Sequence, residues 1–226
     1  DKAKDLERYY RILDNEDEEG NTYLSYNMVM GSSLDIPFCM SFLILDYALL
    51  NSPGAPLKKA LLDAGVGKDI YGSFDDGICQ PYFSIVAKNA DECDKERFVQ
   101  IIRDTLSHLV KDGMDKKALE AGINYFEFRF READFSSHPK GLIYGLEAFS
   151  SWLYDDEQPF AELKQLKIYE DLKEKVHTNY FENLIQTYML DNTHVTCLTL
   201  KPKKGLAAEN DQEVQEKLAA LKAGMS

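Results

Sequence analysis

Ten large apolar side chains crowd the fifteen positions from Ile36 to Leu50: Ile36, Phe38, Met40, Phe42, Leu43, Ile44, Leu45, Tyr47, Leu49 and Leu50. They cannot share one stripe, so a helix built from them must be enclosed on most of its circumference. The run is also shorter than the roughly 20 residues that span a bilayer. Asp35 is placed to cap the helix, and Pro37 falls in the first turn, where no backbone N–H bond is lost. Asn51-Ser52-Pro53-Gly54 breaks it. Ala55–Ala64 reads as a second helix, with Leu57, Leu61 and Leu62 facing inward and Gly65 closing it.

The rest of the chain must supply the layers that bury this helix. Thr22 to Met30 alternates, with Leu24, Tyr26, Met28 and Met30 on one side, which is the period of a strand. Cys79 to Lys88 is a second strand, Asp69 to Phe74 a short third, and His194 to Leu200 a closing one. Between them the period changes to helical. Asp94–Lys111 ends at Gly113; Asp115 caps a helix carrying Leu119, Ile123, Phe126 and Phe130. Ser137 or His138, with Pro139, opens another whose one face holds Leu142, Leu146, Phe149 and Leu153. Shorter helices follow around Phe160–Leu166, Tyr169–Val176 and Tyr180–Met189.

The expected fold is therefore α+β, a mainly antiparallel sheet covered on one face by several helices, with a C-terminal linker helix. Residues 1–20, which include the acidic run Asp14–Glu19, read as a polar lead-in. Residues 21–201 form one domain, and 202–226 a linker and the start of a helical hairpin. In Glu209–Ala223 only Val214, Leu218 and Leu221 make an apolar seam. Such a helix needs a partner outside this stretch, and the chain is expected to be a piece of a longer polypeptide.

Charge and cysteines narrow the function classes. A net charge of -13 argues against nucleic acid and anionic membrane surfaces, both of which call for basic patches. The four cysteines, Cys39, Cys79, Cys93 and Cys197, form no CxxC pair, and a reducing cytoplasm is the simplest setting. There is no signal peptide, although a chain that opens on Asp1 says little about targeting.

Catalytic constellations are missing. The four histidines, His108, His138, His177 and His194, are far apart, and neither HxxEH nor HExxH occurs. Glu174 and His177 make a single ExxH pair, where a di-iron bundle needs two. Gly65-Val66-Gly67-Lys68 is not a phosphate loop, because Leu62 and Asp69 replace the required Gly and Ser/Thr. Neither Cys79 nor Cys93 is flanked by a group that would lower a thiol pKa. The aromatics Tyr125, Phe126, Phe128, Phe130, Trp152 and Tyr154 are expected in helix packing.

One stretch nevertheless resembles a known family. LLNSPGAPLKKALLDAGVG (Leu49–Gly67) is similar to a segment of the pitrilysin/insulinase superfamily of zinc metallopeptidases, in the presequence-protease-like branch. YFSIVA (Tyr82–Ala87) and the helices through Trp152 extend the likeness. The resemblance implies the family's second domain, which shares the fold of the catalytic first domain without its zinc ligands. No catalytic, cofactor-binding or metal residue carries over. It further implies zinc in the catalytic domain of a parent protein, with that domain and unstructured peptide substrates in a shared chamber as the partners. The leading expectation is a non-catalytic, chamber-forming domain of a peptide-degrading zinc metalloendopeptidase. The alternative is a free-standing inactive scaffold of the same fold, and an enzyme with an unrecognised site ranks last.

Overall fold

The computed structural model describes residues 2–132 and 138–225. Its strands are β1 (Lys4–Arg11), β2 (Thr22–Val29), β3 (Asp69–Asp75), β4 (Tyr82–Ala90) and β5 (Val195–Lys203). Its helices are α1 (Ile36–Asp46), α2 (Pro56–Asp63), α3 (Lys95–Asp112), α4 (Lys116–Glu132), α5 (Lys140–Trp152), α6 (Leu166–Lys175), α7 (Tyr180–Ile185) and α8 (Leu206–Gly224). The strands form one sheet in the order β1-β5-β2-β4-β3, antiparallel except for the β1–β5 pair. The α+β expectation holds.

Register explains where the core sits. Leu24, Tyr26 and Met28 of β2 lie opposite Ala87, Ile85 and Phe83 of β4, and Ile70 and Phe74 of β3 continue that row. All are buried. The opposite face is half-buried and carries a polar stripe across three strands. There Asn27 Oδ1 accepts from Ser25 Oγ and Ser84 Oγ, while its amide donates to the Thr196 carbonyl.

The apolar helix lies on the buried face. Asp35 Oδ1 accepts the Phe38 N–H at 3.1 Å, which is the expected cap. Eight of the side chains on α1 are buried, Ser41 among them, which donates to the Pro37 carbonyl and meets the Tyr180 hydroxyl at 3.0 Å. The last turn, Tyr47–Asn51, widens into a π-turn before the break. By length and composition Ile36–Asp63 could cross a membrane, but the chain breaks between Asn51 and Pro56 and most of its apolar stretch is buried within the fold. After α2, Gly65 takes a φ of +73°, and the N–H groups of Gly65 and Val66 bond the Leu62 and Leu61 carbonyls. That is a Schellman closure.

Several boundaries differ from the sequence reading. The segment read as a polar lead-in supplies β1, which pairs with β5 from Lys4–Thr196 to Arg11–Lys203. It is an edge strand, mostly exposed, so no apolar alternation marks it. Beyond the backbone ladder with β5, two ion pairs tie it to its neighbours: Lys95 meets Asp5, and Lys201 meets Glu7. β5 runs on through Lys203, two residues into the stretch read as a linker from 202 onward. Leu62 is exposed rather than inward, because α2 buries only Leu57 and Leu61. Pro139 is the residue before α5, while Ser137 lies outside the described residues. No residue of α8 is buried.

One polar contact ties the helical layer together. Glu127 of α4 is 8% exposed. It accepts from Arg131 Nε at 2.8 Å and from Lys173 of α6. These two cations hold its carboxyl below the usual range. A depressed carboxylate stabilises the fold above its unfolded pKa and loses that contribution as pH falls through the folded value. Glu127→Ala is expected to cost about 2 kcal/mol at pH 7, since both cations keep some water. Urea unfolding at pH 7 and at pH 3 checks this; the gap between wild type and variant should narrow in acid.

Candidate functional site

The four histidines stay apart in space as they do in sequence. His108 is exposed on α3, its Nδ1 at 2.7 Å from the Asp104 carbonyl oxygen one turn back. His138 precedes α5 and His177 follows α6, both exposed. His194 leads into β5, half-buried, its N–H donating to Asn192 Oδ1. Among the described residues no three His, Cys, Asp or Glu side chains gather in a way that could hold a metal ion. The described residues therefore do not fit a zinc ion.

The thiols are equally scattered. Cys39 is buried in α1, and burial pushes its thiol far up. Cys197 is half-buried and shifted the same way. Cys79 and Cys93 are exposed. Burial thus favours the neutral thiol at Cys39 and Cys197, the opposite of what a reactive thiolate needs.

Carboxylates do converge, which the sequence alone could not reveal among so many acidic residues. A cleft of about 840 Å³ opens between Ser32–Pro37, at the start of α1, and the loop Glu157–Ala161. Behind it, burial and the neighbouring Asp76 carboxylate push Glu162 up to about 7. Burial also raises Asp76 and Glu147, and one Glu147 carboxylate oxygen is enclosed without a hydrogen-bond partner. The buried Cys39 thiol faces the same group, and after burial itself the Asp76 and Glu162 carboxylates raise it further. A separate carboxylate, Asp46, is the only charged residue in α1. Burial pushes it up to about 7, against the pull of the Asn51 amide at 2.9 Å. Its position inside an apolar helix was the one signal available in the sequence.

The aromatic residues divide. Phe126 and Phe130 pack against the core and Tyr125, though partly exposed, stacks on Tyr47 at 5.6 Å between helices, as expected, whereas Phe128, Trp152 and Tyr154 are exposed. The α5 stripe of Leu142, Leu146, Phe149 and Leu153 is exposed as well.

Comparison with known proteins shows the family. The family described as "Peptidase M16 inactive domain" matches residues 2–126. Protein HypA of Clostridium perfringens is 42% identical over 213 residues, which cover 94% of this chain and 22% of that protein. Presequence protease 1 of Arabidopsis thaliana, chloroplastic/mitochondrial, is 32% identical over 198 residues, 85% of this chain and 18% of that protein. The chain thus spans about a fifth of the length of these relatives. The crystal structure of the peptidase M16 inactive domain from Pseudomonas fluorescens superposes with a TM-score of 0.54 at 15% identity, over 89% of this chain and 44% of that one; it shares the fold. With its family match covering more than half its length, an apolar first helix and no ligand set among its described residues, this chain belongs to the peptidase M16 inactive domain family.

Proposed function

We propose that this domain is the structural, chamber-forming unit of a zinc metalloendopeptidase that degrades unstructured peptides. Proteolysis belongs to a catalytic domain elsewhere in the same polypeptide. The observation that carries the reading is the match of residues 2–126 to a family described as an inactive peptidase domain, together with the lack of any metal-holding group of His, Cys, Asp or Glu among the described residues. The fraction of each relative that the chain covers supports a partner domain in the same polypeptide over a free-standing scaffold. A cytoplasmic setting goes with this reading, supported by four free thiols.

The test is to assay the 226-residue chain and the longer parent polypeptide on an unstructured fluorogenic peptide, with and without a chelator, and to measure bound zinc in both. The chain alone should show no turnover and no stoichiometric zinc, while the parent should cleave in a chelator-sensitive way. Chelator-sensitive cleavage by the chain alone, with about one zinc per molecule, would sink the proposal.

A further inference from the structure

Residues 138–165 are joined mainly by their own contacts. Helix α5 packs chiefly against the short turn Glu162–Lys164, not on the sheet or the long helices. The fully buried Ser151 hydroxyl donates to the Gln158 carbonyl at 2.7 Å and folds the loop after α5 back onto the helix. Asp155 accepts from the Glu157 N–H and the Gln158 amide within that loop. A cleft of about 840 Å³ opens between the loop and Ser32–Pro37. A segment tied to itself and loosely to the body can open without unfolding the rest.

Where the segment meets the body, carboxylates face one another. Glu147 comes from α5, Glu162 from the turn after the loop, and Asp76 from the connection between β3 and β4. Around them stand the Cys39 thiol of α1, with Asp35 at the cap of that helix, and the Tyr169 hydroxyl of α6. Asp75 adds charge beside Asp76, while Glu157 and Lys164 line the neighbouring cleft. Among the described residues none of the three carboxylates is in an ion pair. Glu162 Oε2 accepts from Gln165 Nε2 at 3.1 Å, and Gln165 Oε1 accepts from the Tyr169 hydroxyl at 3.3 Å. Glu147 Oε2 is enclosed with no partner at all. Desolvation and mutual repulsion both penalise the charged forms here. Glu162 is pushed up to about 7, and burial raises Asp76 and Glu147 as well. A raised carboxylate makes the closed form hold a proton that the open form gives up. Closure is therefore favoured in acid and weakens as pH rises toward the closed-form value.

We propose that residues 138–165 are a proton-operated flap, seated against the β3–β4 connection and α1 while Asp76, Glu147 and Glu162 hold protons, and loosened when all three are ionised. Glu127, the carboxylate between α4 and α6, is paired with two cations and titrates with the opposite sign. Acid thus weakens the α4–α6 contact and tightens the flap. One proton bound with a value of 4.5 in the open form and about 7 in the closed form raises the opening constant about tenfold from pH 6 to pH 8. The flap is a property of this chain alone and does not depend on the functional reading above.

Trp152 is the only tryptophan and lies within the flap. Amide hydrogen exchange, corrected for its intrinsic dependence on pH, and acrylamide quenching of Trp152 are measured at pH 6 and pH 8. Exchange across residues 138–165 should be about tenfold faster at pH 8, with Trp152 quenched more readily, while β2 and β4 keep their protection. Glu162→Gln is neutral at both pH values and should cut the response to less than about threefold. Glu147→Gln should reduce it in the same direction and serves as the second variant should the first not fold. Glu157→Gln, on the rim of the cleft, should leave the response whole. A tenfold response that survives in both Glu162→Gln and Glu147→Gln overturns the proposal, and so does the absence of any response in the wild type. Equal acceleration in β2 and β4 also overturns it, because the whole domain is then opening. So does added magnesium that abolishes the response in the wild type but not in Glu162→Gln, since the carboxylates would then hold a cation in place of protons.

Discussion

Replacing Phe42 with alanine is expected to remove about 3–5 kcal/mol of stability, the range for emptying a large aromatic site in a packed core. The side chain is completely buried. Its ring lies 4.7 Å from Phe38, 5.4 Å from Phe74, 6.0 Å from Tyr188 and 6.4 Å from Phe83, measured between centroids. Those four neighbours come from α1 itself, from β3, from β4 and from the turn after α7, so the ring joins the organising helix to two strands and to the helical layer. Each neighbour is held by its own element, which limits how far the site can collapse, and the aromatic pair contacts are lost in addition to the buried area. Phe42→Leu, which keeps most of the volume, should cost only about 1.5 kcal/mol. Urea unfolding of both variants is the measurement. An alanine cost below about 1 kcal/mol would mean that Phe38 and Phe74 close over the gap. Since a domain of this kind is stable by only about 5–15 kcal/mol, the alanine variant should be an unreliable wall for whatever it supports.

Phe42 lay within reach of sequence reasoning, and it shows why some of the fold was legible. The enclosed helix, its Asp35 cap, the Gly65 closure and the alternation of β2 all depend on residues a few positions apart, and local chemistry decides them. β1 depends on a strand at the other end of the chain. As a parallel edge strand it needs no apolar face, and its Lys, Asp, Glu and Arg residues read as a polar lead-in. The α5 stripe was legible as a face requiring cover, but periodicity does not say whether the cover lies within the same domain. The absence of a zinc motif was legible because HxxEH is a local pattern. The cluster of carboxylates was not, because Asp76, Glu147 and Glu162 are apart in sequence and only the fold makes neighbours of them. Family resemblance reached the right domain through Leu49–Gly67, the break between α1 and α2 and the second helix, whose geometry is set by Pro, Gly and a short row of leucines.

Gly72→Val is expected to cost about 3 kcal/mol or more, the upper end of overpacking penalties. Gly72 sits in the middle of β3, where a glycine ordinarily weakens a strand and any larger residue would strengthen it. Here the inward row leaves no room. A Cβ on Gly72 would lie 2.5 Å from a Leu50 methyl group and 2.4 Å from the Ser84 carbonyl oxygen. The first contact is the π-turn of the organising helix pressed against the sheet, and the second is backbone of the adjacent strand. A leucine methyl can rotate away, but the Ser84 carbonyl is fixed by the ladder between β3 and β4, in which Ser73 pairs with Ser84. Relief therefore requires β3 to separate from β4 or the end of α1 to lift from the sheet, and either movement opens the core beside Ile70 and Phe74. Gly72→Ala should already cost most of the penalty, because the Cβ itself makes the clash, and valine should add the crowding of its two methyl groups. Hydrogen exchange distinguishes this from a uniform loss of stability: amides of β3 and of the Tyr47–Asn51 turn should exchange faster, while those of β2 and β5 keep their protection relative to the lowered global stability. Equal melting temperatures for wild type and Gly72→Val would show that the helix does not press on the sheet at this point, and that the glycine has no steric role in the strand.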